Sequence, residues 1–129
     1  MPLRDLQPSQ LFISREKLRR VRAAVDAADP SSMTPIPVVS LADRIVITDG
    51  HTRAFAAWSW EWDKVPVVWD RDELDWEAYE ICVAWCDRED IHTIAGLAGR
   101  VVEEAVYQEQ WLDRCAAMHR RLKAQRREK

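Results

Sequence analysis

Long apolar runs and glycine are both scarce in this chain of 129 residues. No stretch approaches the roughly 20 consecutive apolar residues of a membrane-spanning helix, so the sequence predicts no membrane segment. The opening MPLRDLQPSQ also lacks the apolar core of a secretory signal peptide. We therefore expect a cytoplasmic protein with reduced cysteines. Glycine is confined to Gly50, Gly96 and Gly99, which makes the turn at Gly50 conspicuous.

Positive charge is scarce in the middle of the chain and abundant at its end. The formal net charge is −3, but acidic residues strongly outnumber basic ones in 61–90, whereas 119–129 is mostly basic. An acidic central surface repels nucleic acid and anionic membranes, so we expect neither as a partner of this region. A basic run at the end of a chain is most often the solvated end of a helix, and we interpret it so.

The order of the predicted elements favours an α+β fold in a single domain, 1–129. The apolar β-rich runs predict strands at 37–41, 44–48 and 65–69, with a hairpin turn at Ala42-Asp43 and an edge position for the last strand. Helical spacing and capping residues predict further elements. These are a helix from an N-cap at Ser14 to near Asp29-Pro30, one over 53–60, one over 75–87, a short one from Thr93 and a long one from Glu103.

The segment 44–57, RIVITDGHTRAFAA, is the most informative part of the sequence. An apolar run ends at the turn pair Asp49-Gly50, and an alanine-rich helical stretch follows. Unpaired backbone N–H groups at a helix start form an anion site, to which His51, Thr52 and Arg53 can add donors for phosphate oxygens. The residues leave open an alternative, in which Thr52 is only an N-cap and Arg53 only an ion-pair partner.

These residues resemble the ParB N-terminal/sulfiredoxin superfamily. The shared features are a hydrophobic strand, then DGHTR, an alanine-rich helix and a VPVV strand, together with the opening LQPSQLFISREKLRRV. The resemblance covers 5–70, and 71–129 is similar to the helical extensions of small bacterial members. It implies a small mixed sheet with helices, followed by a helical C-terminal extension.

The superfamily includes groups with different chemistries, and each group carries its own version of this motif. Sulfiredoxins carry a reactive cysteine where this chain has His51. Partition ParB proteins carry GERRxRA and a following basic DNA-binding module, which Thr52, Phe55 and the acidic second half do not match. The free serine kinases carry DGHHR, from which this chain differs only at Thr52.

The kinase resemblance implies a nucleotide, ATP or ADP with CTP as a further candidate, and Mg²⁺. Gly50, His51, Thr52 and Arg53 would hold the phosphates, while Asp49 would bind the metal. Asp49 and His51 are then the catalytic candidates for phosphoryl transfer to a small hydroxyl compound such as serine.

The kinases also place a glutamate shortly after their first strand, where this chain has Ser9 and Gln10. An acid of the segment 70–75 would have to replace it. The alternative is a non-catalytic regulatory or protein-interaction module of the same fold.

The cysteines do not show the spacing of a metal site. Cys82 and Cys86 are four residues apart on one predicted helix, but Cys115 and the histidines His92 and His119 provide no second paired spacing. We expect buried, apolar cysteines.

Overall fold

The computed structural model, which describes residues 1–128, has the predicted α+β architecture. A four-stranded mixed sheet has the order β1-β4-β3-β5, and a separate two-stranded sheet joins β2 to β6. The strands are β1 (Leu6–Gln7), β2 (Ile13–Ser14), β3 (Ile36–Leu41), β4 (Arg44–Ile47), β5 (Val67–Trp69) and β6 (Val101–Val102). The helices are α1 (Arg15–Ala24), α2 (His51–Ser59), α3 (Trp76–Arg88), α4 (Glu104–Tyr107) and α5 (Asp113–Arg127).

The centre of the sheet is the predicted hairpin. Strands β3 and β4 pair antiparallel, with Val39 opposite Val46. Ala42 and Asp43 both have positive φ, 50° and 61°, the backbone of a two-residue turn that matches the twist of the flanking strands. β5 pairs with β3 alone, in parallel, so its predicted edge position is confirmed.

Helix α1 starts as predicted and ends early. Ser14 is its N-cap, and the Oγ accepts a hydrogen bond from the Lys17 N–H. The predicted end near Asp29-Pro30 is wrong, because the helix stops at Ala24. The carboxylates of Asp26 and Asp29 accept hydrogen bonds from backbone N–H groups two residues ahead, and such local bonds compete with helical ones.

The second half of the chain is largely helical, as predicted. Asp75 is the N-cap of α3, where its Oδ1 accepts from the Ala78 N–H. The predicted helix at Thr93 is a 3₁₀ turn, Ile94–Leu97. The long C-terminal helix is present, but a π-helical turn, Gln108–Leu112, separates α4 from α5 and was not predicted.

The hydrophobic core lies on both faces of the sheet. A large cluster joins Leu6, Ile36 and Ile47 to the helices, and a small one places Val83 of α3 against Val39 and Val46 on the opposite face. Cys82 and Cys86 are buried, as expected, while Cys115 is half-buried. Within 1–128, no helix is both long and apolar enough to cross a membrane.

The segments 5–70 and 71–128 share one core. The buried Gln7 side chain donates to the Ile91 carbonyl, at 2.9 Å, and β2 has β6 as its partner strand. Ser14 also hydrogen-bonds the Glu104 carboxylate. The C-terminal part therefore supplies hydrogen-bond and strand partners to the N-terminal part.

Candidate functional site

The turn from β4 into α2 leaves a helix start without a side-chain cap. Gly50 is the N-cap residue at φ +83°, a left-handed conformation that favours glycine, and no side chain accepts from the first turn. The first intrahelical bond runs from the Ala54 N–H to the Gly50 carbonyl, at 3.0 Å. The N–H groups of His51, Thr52 and Arg53 precede that bond and have no helical acceptor. The alternative in which Thr52 caps the helix is wrong, since Thr52 lies inside the first turn.

The Arg53 guanidinium lies over Gly50. A Cβ built on Gly50 would be 2.5 Å from Arg53 Nη2, so glycine is also the residue that leaves room for this side chain. Nη1 donates to the carbonyls of Thr34, at 2.9 Å, and Pro35, at 3.3 Å. Among residues 1–128, no ion pair includes Arg53. Two backbone carbonyls therefore hold the guanidinium, and no carboxylate among these residues is paired with it.

His51 is turned into the protein. Its Nε2 accepts the Ser9 N–H at 2.9 Å, and the Ser9 Oγ donates to the Ile47 carbonyl at 2.6 Å. This acceptor role places the ring proton on Nδ1. Burial lowers the pKa of His51 to about 4, against the opposing charge of Asp49. Near neutral pH the ring is therefore uncharged, and the Nε2 lone pair is occupied by the Ser9 N–H.

His51 lines a cavity of about 330 Å³ between the end of the sheet and helices α3 and α5. Ser9 and Gln10, for which the resemblance implies a glutamate in the kinases, also line it. Glu73 and Asp75, from the acidic segment, line the same cavity. The structure thus brings the proposed replacement acids to the cavity of His51. Asp75 is engaged by Arg126, at 2.8 Å, and this hydrogen bond lowers the Asp75 pKa.

Asp49 lines a different depression, of about 440 Å³, beside β5. Its Oδ1 accepts the Gly50 N–H at 2.8 Å, and the residue is exposed. Thr48, Leu74 and Tyr79 line both depressions, and the Tyr79 hydroxyl donates to the Thr48 carbonyl at 3.2 Å. The two catalytic candidates, Asp49 and His51, therefore line different but adjoining depressions.

The described residues provide no ready metal centre. Within 1–128, no group of three or more His, Cys, Asp or Glu side chains is placed to hold a metal ion. A metal ion at Asp49, which the resemblance implies, would therefore not have three such side chains around it. A metal at this position would need oxygens from a bound phosphate or from water to complete its coordination.

The sequence-based interpretation missed the wall that α5 contributes. Trp111, Cys115 and His119 recur at four-residue spacing and all line the cavity of His51, so helical spacing was the available signal. Cys115 also meets Cys82 of α3. A hydrogen bond between the two thiols raises the pKa of Cys82 and lowers that of Cys115.

Comparison of the chain with protein-family models, with curated proteins and with solved structures finds no match in any of the three. A function for the site is therefore argued from its residues.

Proposed function

We propose that this chain binds a nucleotide or another phosphate compound at the start of α2. The observation that carries the proposal is the Arg53 guanidinium, which lies over Gly50 with no carboxylate partner within 1–128. The neighbouring N–H groups and the helix dipole favour an anion at this place. A phosphate oxygen there would receive charge-assisted hydrogen bonds from Arg53 and a hydroxyl bond from Thr52. The resemblance to the ParB/sulfiredoxin superfamily supports the same position.

We infer that the matching activity is phosphoryl transfer from ATP or ADP, with CTP as a further candidate, to a small hydroxyl compound. Asp49, exposed beside the helix start, is the residue that we assign to Mg²⁺. The cavity of about 330 Å³ has room for a small acceptor. In this cavity His51 would orient the acceptor by donating from Nδ1. Glu73 would accept the hydroxyl proton, because neither Ser9 nor Gln10 is acidic.

A second function is a non-catalytic phosphate-binding module, and a specific observation favours it. The Nε2 of His51 is occupied by the Ser9 N–H, and Asp49 lines another depression. The anion site of Arg53 does not depend on either feature. Binding without turnover is the result that this function predicts.

Isothermal titration calorimetry of the full chain with ATP, ADP, CTP and inorganic phosphate, with and without Mg²⁺, tests the binding proposal. Arg53→Ala should weaken binding by about 1.5–3 kcal/mol, the contribution of a hydrogen bond to a charged group. Arg88→Ala removes an exposed guanidinium at the end of α3 and is the matched control. Equal affinity of the Arg53 variant and the wild type would remove Arg53 from the site, and no binding of any ligand would refute the proposal.

Turnover is tested with ATP or ADP, Mg²⁺ and a panel of hydroxyl acceptors. We expect Asp49→Asn to reduce transfer while nucleotide binding persists. A wild-type rate no higher than that of the Asp49→Asn/His51→Gln double variant would leave the non-catalytic module as the function.

A further inference from the structure

Strand β5 has a free edge. It is the last strand of the larger sheet and bonds to β3 on one side, where the Ile36 N–H donates to the Pro66 carbonyl and the Asp70 N–H to the Val38 carbonyl, both at 2.9 Å. Every second residue of a strand bonds to the same neighbour. Val67 and Trp69 therefore direct their N–H and C=O groups away from β3, toward solvent.

The side chains of this edge are apolar and exposed. Val68 is 49% exposed and Trp69 51%, although edge strands are usually protected by charges or proline within the strand. The two side chains project on opposite faces, because successive residues of a strand alternate. A ligand along this edge would meet an apolar surface on each face.

The charges beside the edge are mainly negative. Asp49, Asp70 and Asp72 line the adjoining depression, against one guanidinium, that of Arg71. Asp70 is fixed by the Thr48 hydroxyl, which donates to it at 2.6 Å, and by the Asp72 N–H at 3.0 Å. These carboxylates would attract a peptide segment that carries positive charge. A second copy of this chain would instead bring the same excess of carboxylates, and like charges disfavour association.

We propose that the β5 edge binds an extended peptide that carries lysine or arginine. The peptide adds as a strand beside Val67 and Trp69, so that main-chain hydrogen bonds hold it, and one of its cationic side chains reaches Asp72. Its apolar residues cover Trp69. Asp49 lines the same depression and is also assigned to Mg²⁺ in the proposed function, so the variants that test peptide binding leave Asp49 unchanged.

Fluorescence anisotropy of a labelled synthetic peptide of alternating lysine and valine, titrated with the full chain, tests the proposal. Trp69→Thr keeps a good strand former and removes the ring, and Asp72→Lys reverses an exposed charge. Trp76→Thr and Glu109→Lys are matched controls at exposed positions on other elements. The thermal unfolding of each variant is measured first, so that only folded variants are compared.

We expect Trp69→Thr and Asp72→Lys each to weaken peptide binding about tenfold or more, the equivalent of 1.4 kcal/mol, while the controls stay within about twofold. A peptide N-methylated at alternate amides should bind poorly, because it cannot form the strand ladder. The proposal is overturned if the lysine–valine peptide does not bind, or if a glutamate–valine peptide binds equally well. A dimer in sedimentation experiments that Trp69→Thr abolishes would assign the edge to a second copy instead.

Discussion

Replacing Gly50 by alanine tests the geometry of the anion site directly. Gly50 has φ +83°, and a Cβ at this position would lie 2.5 Å from Arg53 Nη2 and 2.9 Å from Nε. The guanidinium is the far end of a flexible side chain, so it can move away. Moving it breaks the hydrogen bonds to the carbonyls of Thr34 and Pro35.

Two contributions set the size of the effect. An alanine in the left-handed region costs roughly 1–2 kcal/mol, and Ala42, at φ 50°, shows that the chain accepts that conformation in a turn. Displacing Arg53 removes bonds to two exposed residues whose carbonyls regain water, which we put at about 1 kcal/mol. The free energy of unfolding should therefore fall by about 2–3 kcal/mol, a decrease in Tm of roughly 6–10 °C for a chain of this size.

Urea denaturation of four proteins separates the two contributions: the wild type, Gly50→Ala, Arg53→Ala and the double variant. Without Arg53, Gly50→Ala should cost only the backbone strain, which gives a coupling of about 1 kcal/mol. Gly99→Ala is the matched control, because Gly99 has no positive φ and nothing lies within 4 Å of its added Cβ. Alanine there should change stability by less than about 0.5 kcal/mol.

If Gly50→Ala is as stable as Gly99→Ala, Gly50 has neither the backbone strain nor the contact with Arg53 described above. A second contradicting result is a loss of stability from strain alone, with no coupling to Arg53. In that case the guanidinium does not lie over the glycine in solution, and the observation that carries the proposed function is lost.

Three further predictions concern other residues. Ser14→Ala should lower the free energy of unfolding by about 1 kcal/mol in urea denaturation, because it removes the α1 N-cap; an unchanged midpoint would contradict this. The pKa of His51 falls from 6.5 to about 4 on folding. Above pH 6.5 the ring is neutral in both states and adds nothing to the pH dependence of stability. Between the two pKa values the unfolded chain binds a proton that the native ring does not. Stability should therefore fall by up to roughly 3 kcal/mol as the pH drops through this window, and a His51→Gln variant, measured by denaturation at each pH, should lack that part of the decrease. Under native conditions an alkylating reagent should modify Cys115, whose pKa is lowered by the Cys82 thiol, well before Cys86, whose pKa burial raises to about 12; mass spectrometry showing the reverse order would contradict it.

The sequence predicted well those elements that are fixed by interactions between residues close together in the chain. The hairpin follows from apolar runs on either side of Ala42-Asp43, and Ser14 and Asp75 cap their helices through bonds to residues three positions ahead. The end of α1 was wrong because Asp26 and Asp29 bond to their own backbone, which helical periodicity does not reveal. The π-helical turn buries Trp111, and this tertiary packing is not encoded in local helical spacing.

The candidate site was predictable only in part, for the same reason. The glycine turn and the helix start are encoded within 44–57, and the structure has both. The orientation of His51 depends on Ser9, distant in sequence, and the cavity wall comes from α3 and α5. The family resemblance remains a prediction, because no comparison tests it.

The pairing of β2 with β6 has a consequence for how the chain reaches its fold. Ile13 and Ser14, at the entrance to α1, find their strand partners at Val101 and Val102, near the other end of the sequence. Contacts that span so much chain must overcome a large loop-closure entropy, which slows folding. During synthesis the first helix can form early, but its preceding strand stays unpaired until the C-terminal segment emerges. Val101 and Val102 therefore secure Ile13 and Ser14, and a truncation that removes the segment from residue 101 onward should destabilise the N-terminal part.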